Sequence, residues 1–300
     1  MQDKLRRQTQ QGIAWVLIAI LLLSIMDALL KWMAQSYPAL EIVFIRNIVG
    51  LLPLSIFLLR EKGWRVLATK RLPAHFGRSI ISLLAMACFT TSLGKMKLAD
   101  ATAVLFSAPL FMTALSGPLL AERVGVHRWL AVLIGFAGVL IVLRPGKGLF
   151  ELSAFLCVAA AVFYALTTIA IRALSKTEST AAIVCYNQIG IAVFTSFFMP
   201  ALWKTPTLTD LALFIVLGLL GGFGQIALTQ ACRLAPLSLL APFDYTGMLW
   251  AVFLGYLVWN ELPDKFVIFG VVLVALSTLF LLHREGDKKY LCFNKTTFDR

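Results

Sequence analysis

Ten predominantly apolar runs of 17 to 25 residues follow one another along this chain, over 12–34, 38–59, 74–95, 100–120, 127–143, 149–172, 180–203, 209–233, 236–258 and 264–283. At 1.5 Å of rise per residue, such lengths match a hydrocarbon layer about 30 Å thick. A backbone surrounded by lipid must satisfy its own hydrogen bonds, so each run is expected to be a helix. The joins are short, which leaves no room for an inserted soluble domain. The fold class expected is therefore an all-α integral membrane protein with ten transmembrane helices, and its work takes place in or at the bilayer. A content of 60% hydrophobic and 14% charged residues agrees.

The formal charge of +12 would suit a nucleic-acid binder if it were clustered on one surface, but it is spread over the joins. With the N-terminus placed inside, the inner segments hold eighteen Lys and Arg and the outer joins six. That is the positive-inside bias; with an even number of spans it puts both termini in the cytoplasm, in what is expected to be a bacterial inner membrane. Nucleic acid is not an expected partner. A cleaved leader is not expected either, because the first run contains Asp27 and no A-x-A site follows it. Cys88, Cys157, Cys185, Cys232 and Cys292 show no C-x-x-C spacing and read as small apolar residues.

Five runs precede "RPGKG" at 144–148 and five follow it. Because five is odd, the second set enters the membrane from the opposite side, giving two inverted five-helix repeats. Two matches support a repeat: Ala108-Pro109 aligns with Ala241-Pro242, and Glu122 with Glu261. The organisation expected is an N-terminal segment 1–11, a first repeat 12–143, a linker 144–148, a second repeat 149–283 and a tail 284–300.

The residues "DALLKWMAQSYPALEIVFIRN", "SAPLFMTALSGPLLAER", "GFAGVLIVLRPG" and "LAPFDYTGMLWAVFLGYLVWNEL" occur in this order across about 12–283. In this the chain resembles the EamA-type ten-helix transporters of the drug/metabolite transporter superfamily. The resemblance implies a basket of helices around a central cavity, alternating access and an organic metabolite as substrate. Family members include exporters of amino acids, some aromatic, and importers of riboflavin or S-adenosylmethionine. One departure is Leu262-Pro263-Asp264 after Glu261, where the first half has Arg123-Val124-Gly125.

Charges within the runs are the most informative polar residues, since each costs at least about 2.5–3.5 kcal/mol near the bilayer centre. Asp27 and Lys31 are four apart on one helix face, an order that favours a pair, and Arg46 is expected at similar depth. The three form either a neutralising cluster between two helices or an outer gate. Arg78 and Asp244 are expected at comparable depth near the other side, either as an internal salt bridge or with Asp244 facing substrate. Pro109 and Pro242 are expected to kink their helices, which cavity water or neighbours make tolerable. Phe106, Tyr164, Asn187, Gln225, Tyr245 and Trp250 complete the candidate binding residues. Stripes of Gly, Ser and Thr read first as packing faces. His75, His127 and His283 lie at run ends, where interfacial solvation is expected, and Trp15, Trp32, Trp129, Trp203 and Trp259 suit an aromatic belt.

No H-E-x-x-H, G-x-S-x-G or P-loop is present, so nothing proposes a metal, a cofactor or a catalytic nucleophile, and a membrane-embedded enzyme is a remote alternative. The function expected is secondary transport of a small organic metabolite, with amino-acid export first and uptake of a vitamin or nucleoside-type compound second. The substrate and the bilayer are the partners this requires, and a monomer is compatible with it.

Overall fold

The computed structural model describes residues 2–60, 67–108, 110–112, 152–175, 177–234 and 246–273, with further positions at 115, 130, 133, 134, 136–138, 140, 141, 243, 275 and 276. Among them all regular structure is helical: α1 (Gln2–Met33), α2 (Ala39–Val49), α3 (Leu51–Arg60), α4 (Leu72–Leu93), α5 (Leu98–Leu105), α6 (Leu152–Leu174), α7 (Thr180–Ser196), α8 (Leu208–Leu234) and α9 (Thr246–Trp259). Residues 265–273 are helical as well. Four stretches are long and apolar enough to cross a bilayer: Gln10–Met33, Leu72–Leu93, Leu152–Ile171 and Leu208–Ala231.

Local chemistry explains where several helices begin and break. Ser179 opens α7 by accepting the Ala182 N–H on its hydroxyl at 3.0 Å, the usual service of an N-cap serine. The run 38–59 is two helices that meet at Gly50. Pro53 has no N–H to offer the Val49 carbonyl, so the ladder is interrupted there, while Gly50 still donates to the Arg46 carbonyl at 2.9 Å. The run 180–203 likewise ends early as α7, followed by a single turn at Met199–Leu202 that contains Pro200. Pro109, Pro242 and most of the run 127–143 lie outside the described residues.

α1 packs most extensively on α8, and α4 on α6 with α7 lying across it. Lipid gives helices no hydrophobic reason to associate, so close approach of small residues matters more than burial itself. α8 supplies that approach on two flanks. A Cβ at Gly222 would lie 2.7 Å from the Gly50 carbonyl oxygen, and one at Gly218 2.4 Å from Val49. On the other flank, a Cβ at Gly224 would lie 2.8 Å from Leu23 of α1. The largest apolar cluster joins Met26, Leu30 and Met33 of α1 to Ile42, Leu98, Phe214, Leu217, Met248 and Ala251, so residues from both halves of the chain share one core.

Candidate functional site

Three polar side chains sit in the middle of inward-facing helix faces and yet are not buried. On α1, Asp27 lies on one helical line with Val16, Ile20 and Lys31, all buried, but is itself half-buried. On α8, Gln225 is flanked by buried Gly218, Gly221 and Thr229 and is also half-buried. On α6, Tyr164 stands between buried Cys157, Ala160, Ala161 and Thr167 and is 37% exposed. Each of the three thus joins a polar side chain to partial exposure on a face whose other members are buried. Asp27 and Gln225 flank the same stretch of the α1–α8 contact, since Leu23, one turn before Asp27, packs on Gly224.

The charge expected to pair with Asp27 goes elsewhere. Lys31 donates to Glu261 at 2.5 Å and lies 4.6 Å above the Trp259 ring, while Trp259 also tilts against Trp32 at 6.3 Å. The Leu98 N–H at the start of α5 donates to the same Glu261 carboxylate at 3.3 Å, where the positive end of a helix favours an anion. Asp27 faces Arg46 instead, attracted through space with no contact within 4 Å. Lys31 stands in the last turn of α1, and its long stem gives it the reach to Glu261.

Further polar contacts gather at this Lys31 end. Tyr37 donates to Asp210 at 2.6 Å, and the Asp210 carboxylate holds the phenol above its ordinary range. Glu41, fully buried, accepts the Lys204 N–H at 3.2 Å, while Lys204 Nζ donates to the Ser36 carbonyl at 2.8 Å. A cleft of about 450 Å³ opens beside Tyr37, bounded by Gln35, Thr90, Thr91 and Lys95.

The opposite end of the bundle holds a second polar cluster. Gly94 at the end of α4 lies against Ala34, so the start of α4 is remote from Lys31. There Arg78, 3% exposed, donates to the Ile183 carbonyl of α7 at 2.5 Å. Ser79 donates to the Tyr186 carbonyl at 3.2 Å, and Ser82 and Thr167 share a hydrogen bond at 3.3 Å. His75 overturns the expectation of a solvated run end: it is 2% exposed, stacked 4.8 Å from Tyr186 and 3.8 Å from Glu178. Its neighbours Ala74 and Phe76 are exposed, while His75 lies on the face of α4 that meets α7.

The remaining candidates divide. Phe106 lies in the turn after α5 with its ring facing Gly247 of α9, where a Cβ would meet it at 3.4 Å. Asn187 is buried on α7. Trp250 packs on Val16, Ile20 and Ala231 and borders an open apolar groove with exposed Leu17, Ile18, Leu249 and Phe253. Asp244 and Tyr245 lie outside the described residues, and so does the Arg78–Asp244 pairing. Sequence reasoning left out Tyr37, Glu41, Lys204, Asp210 and Glu178 from the candidates; Glu261 had a signal, its match to Glu122 at the other repeat. Among the described residues, no cluster of three His, Cys, Asp or Glu could hold a metal.

A sequence model of the EamA-like transporter family matches the chain twice, over residues 10–144 and 151–283. The S-adenosylmethionine uptake transporter of Rickettsia bellii is 29% identical over 277 residues, 91% of this chain and 94% of that protein. The pseudopaline exporter of Pseudomonas aeruginosa is 29% identical over 91% of this chain and 96% of its own length. The riboflavin transporter of Vibrio cholerae is 27% identical over 93% and 95%. A crystal structure with 17% sequence identity superposes with a TM-score of 0.64, covering 92% of this chain and 98% of the other, which relates the folds.

Proposed function

The chain belongs to the EamA-like transporter family, and from that premise we propose that it is a secondary carrier that moves a small amino-acid-like metabolite across a bacterial inner membrane by alternating access. In this reading the two matched halves are inverted five-helix repeats, both termini are cytoplasmic, the Lys31 end is the outer end and the Arg78 end the inner one. The observation that carries the reading is the accessibility of Asp27, Gln225 and Tyr164 on inward faces, since a solute path needs polar groups that remain reachable within the bundle.

Alternating access requires that contacts between the halves be breakable at either end. Polar contacts of this kind support it: hydrogen bonds of Lys31 with Glu261, Tyr37 with Asp210 and Glu41 with the Lys204 N–H at one end, and at the other the Arg78–Ile183 hydrogen bond and the 3.8 Å approach of His75 to Glu178. We assign Asp27, Arg46, Gln225, Tyr164 and Phe106 to the path, Lys31 with Glu261 to its outer closure, and Asp244 and Tyr245 to the inner part of α9's run. Paired acidic and basic groups suit a zwitterion, and Tyr164 and Phe106 suit its apolar side chain.

A second reading, uptake of S-adenosylmethionine, is favoured by the names of the Rickettsia relatives, and it keeps the same path because that compound also has an amino-acid end. Counterflow in proteoliposomes decides. Vesicles loaded with one unlabelled solute are offered labelled amino acids, S-adenosylmethionine or riboflavin. Saturable exchange of neutral amino acids supports the first reading, exchange of S-adenosylmethionine alone the second, and exchange of nothing removes the carrier reading.

A further inference from the structure

Arg78 is a buried cation whose charge the described residues leave uncompensated. No carboxylate oxygen among them comes within 4 Å of its guanidinium, and Glu178, the acid of that corner, is turned to His75. One guanidinium nitrogen donates to the Ile183 carbonyl, while Nε, equally buried, has no partner. A side chain with five donors in a fixed fork, placed out of water and using so few of them, is costly unless an anion completes it. One turn beyond Ile183 on α7, Asn187 is 6% exposed and its amide oxygen also has no partner. Ile183, Asn187 and Gly190 share one helix face, and Gly190 approaches Ser79 so closely that a Cβ there would lie 2.4 Å from its hydroxyl. The same α4–α7 contact thus holds an unfilled donor beside a cation and an unfilled acceptor.

We propose that Arg78 and Asn187 are a recognition subsite for an α-ammonium carboxylate, Arg78 taking the carboxylate and Asn187 accepting from the ammonium group. This rests on the carrier reading above and narrows its substrate to molecules with an amino-acid end. In the conformation described here the subsite is closed by the Ser79–Gly190 approach, and it becomes reachable when α4 and α7 separate at that end. Arg rather than Lys suits the task, because two parallel N–H donors fix the orientation of a planar carboxylate.

The test uses matched solutes that differ only in the carboxylate: phenylalanine with phenethylamine, and S-adenosylmethionine with its decarboxylated amine. In counterflow, the wild-type protein is expected to prefer the acid in at least one pair by about tenfold or more, equivalent to about 1.4 kcal/mol. Arg78→Gln is expected to cut that preference below about twofold through KM. Arg78→Lys, which keeps the charge and guards against a folding defect, should retain a part of it, and Asn187→Ala should raise KM for both members of the pair. An Arg78→Gln protein that discriminates as the wild type does while melting earlier overturns the proposal and leaves Arg78 as a tie between α4 and α7. Wild-type exchange of only the amines, or only of riboflavin, overturns the subsite while the carrier reading stands. If wild-type vesicles exchange nothing, both fall.

Discussion

Lys31 and Glu261 are 230 residues apart, yet their charged atoms meet at 2.5 Å, and Glu261 also receives the Leu98 N–H at the start of α5. One carboxylate therefore ties α1, α5 and the end of α9 together. Lys31 is 6% and Glu261 23% exposed in their side chains, so water screens the pair only from one side. Loss of one partner strands the other, at a cost of about 2 kcal/mol, below the roughly 3–5 kcal/mol of a fully buried pair. Lys31→Ala and Glu261→Ala are each expected to lower the melting temperature in detergent, and the charge-exchanged double variant to recover part of it. Double-mutant coupling indistinguishable from zero would mean that the pair does not hold these helices together.

Arg46 lies along Gly221, where an added Cβ would sit 2.9 Å from its Nε. The guanidinium is the movable end of a long side chain, so Gly221→Ala is expected to displace it at little cost, under about 1 kcal/mol. Its attraction to Asp27 changes with it. Transport in Gly221→Ala should then fall toward that of Arg46→Gln while the melting temperature stays near wild type. A variant that transports normally would place Arg46 outside the path.

Gly222 and Gly77 offer a contrast within helices. At Gly222 a methyl group would lie 2.7 Å from a backbone carbonyl oxygen, which cannot swing away, whereas at Gly77 nothing lies within 4 Å. Gly222→Ala is expected to destabilise by about 1–3 kcal/mol. Gly77→Ala should be neutral or stabilising by up to about 1 kcal/mol, since alanine loses less backbone freedom. Thermal unfolding of the two variants side by side checks the order.

Tyr37 gives an alkaline signature. Its hydrogen bond to Asp210 raises the phenol above the ordinary value of 10.0. A group with a raised folded value contributes its full stability below the unfolded value and loses it as pH climbs through the folded one. The Tyr37–Asp210 contact should therefore be intact up to about pH 10 and weaken above it. Tyr37→Phe should show a flatter alkaline limb of stability against pH than the wild type; identical limbs would assign that slope to other groups.

Helix positions were readable because lipid imposes length and satisfies nothing, so Gln10–Met33 and Leu208–Ala231 stand out as uninterrupted apolar runs. The break at Gly50 was also in the sequence, in Pro53, but an apolar tally weighs proline lightly. The faces were legible by periodicity, and Asp27, Gln225 and Tyr164 could be picked as polar residues on them. Partners were not. Spacing within a helix suggested Asp27 with Lys31, yet the choice between an acid four residues away and one 230 residues away depends on how helices are placed, which no local pattern records. His75 shows the same limit at smaller scale: whether its ring met water or Tyr186 depended on which face of α4 meets α7.

The pairing of α1 with α8 and with Glu261 sets an order of manufacture. At about 5–20 residues per second, roughly 10 to 50 seconds separate the synthesis of Lys31 from that of Glu261. Through that interval the first helix waits in the bilayer with an ammonium group that has no acid to meet and a glycine-lined berth not yet made. Until Glu261 is made, the charge of Lys31 has to be met by water or by lipid headgroups.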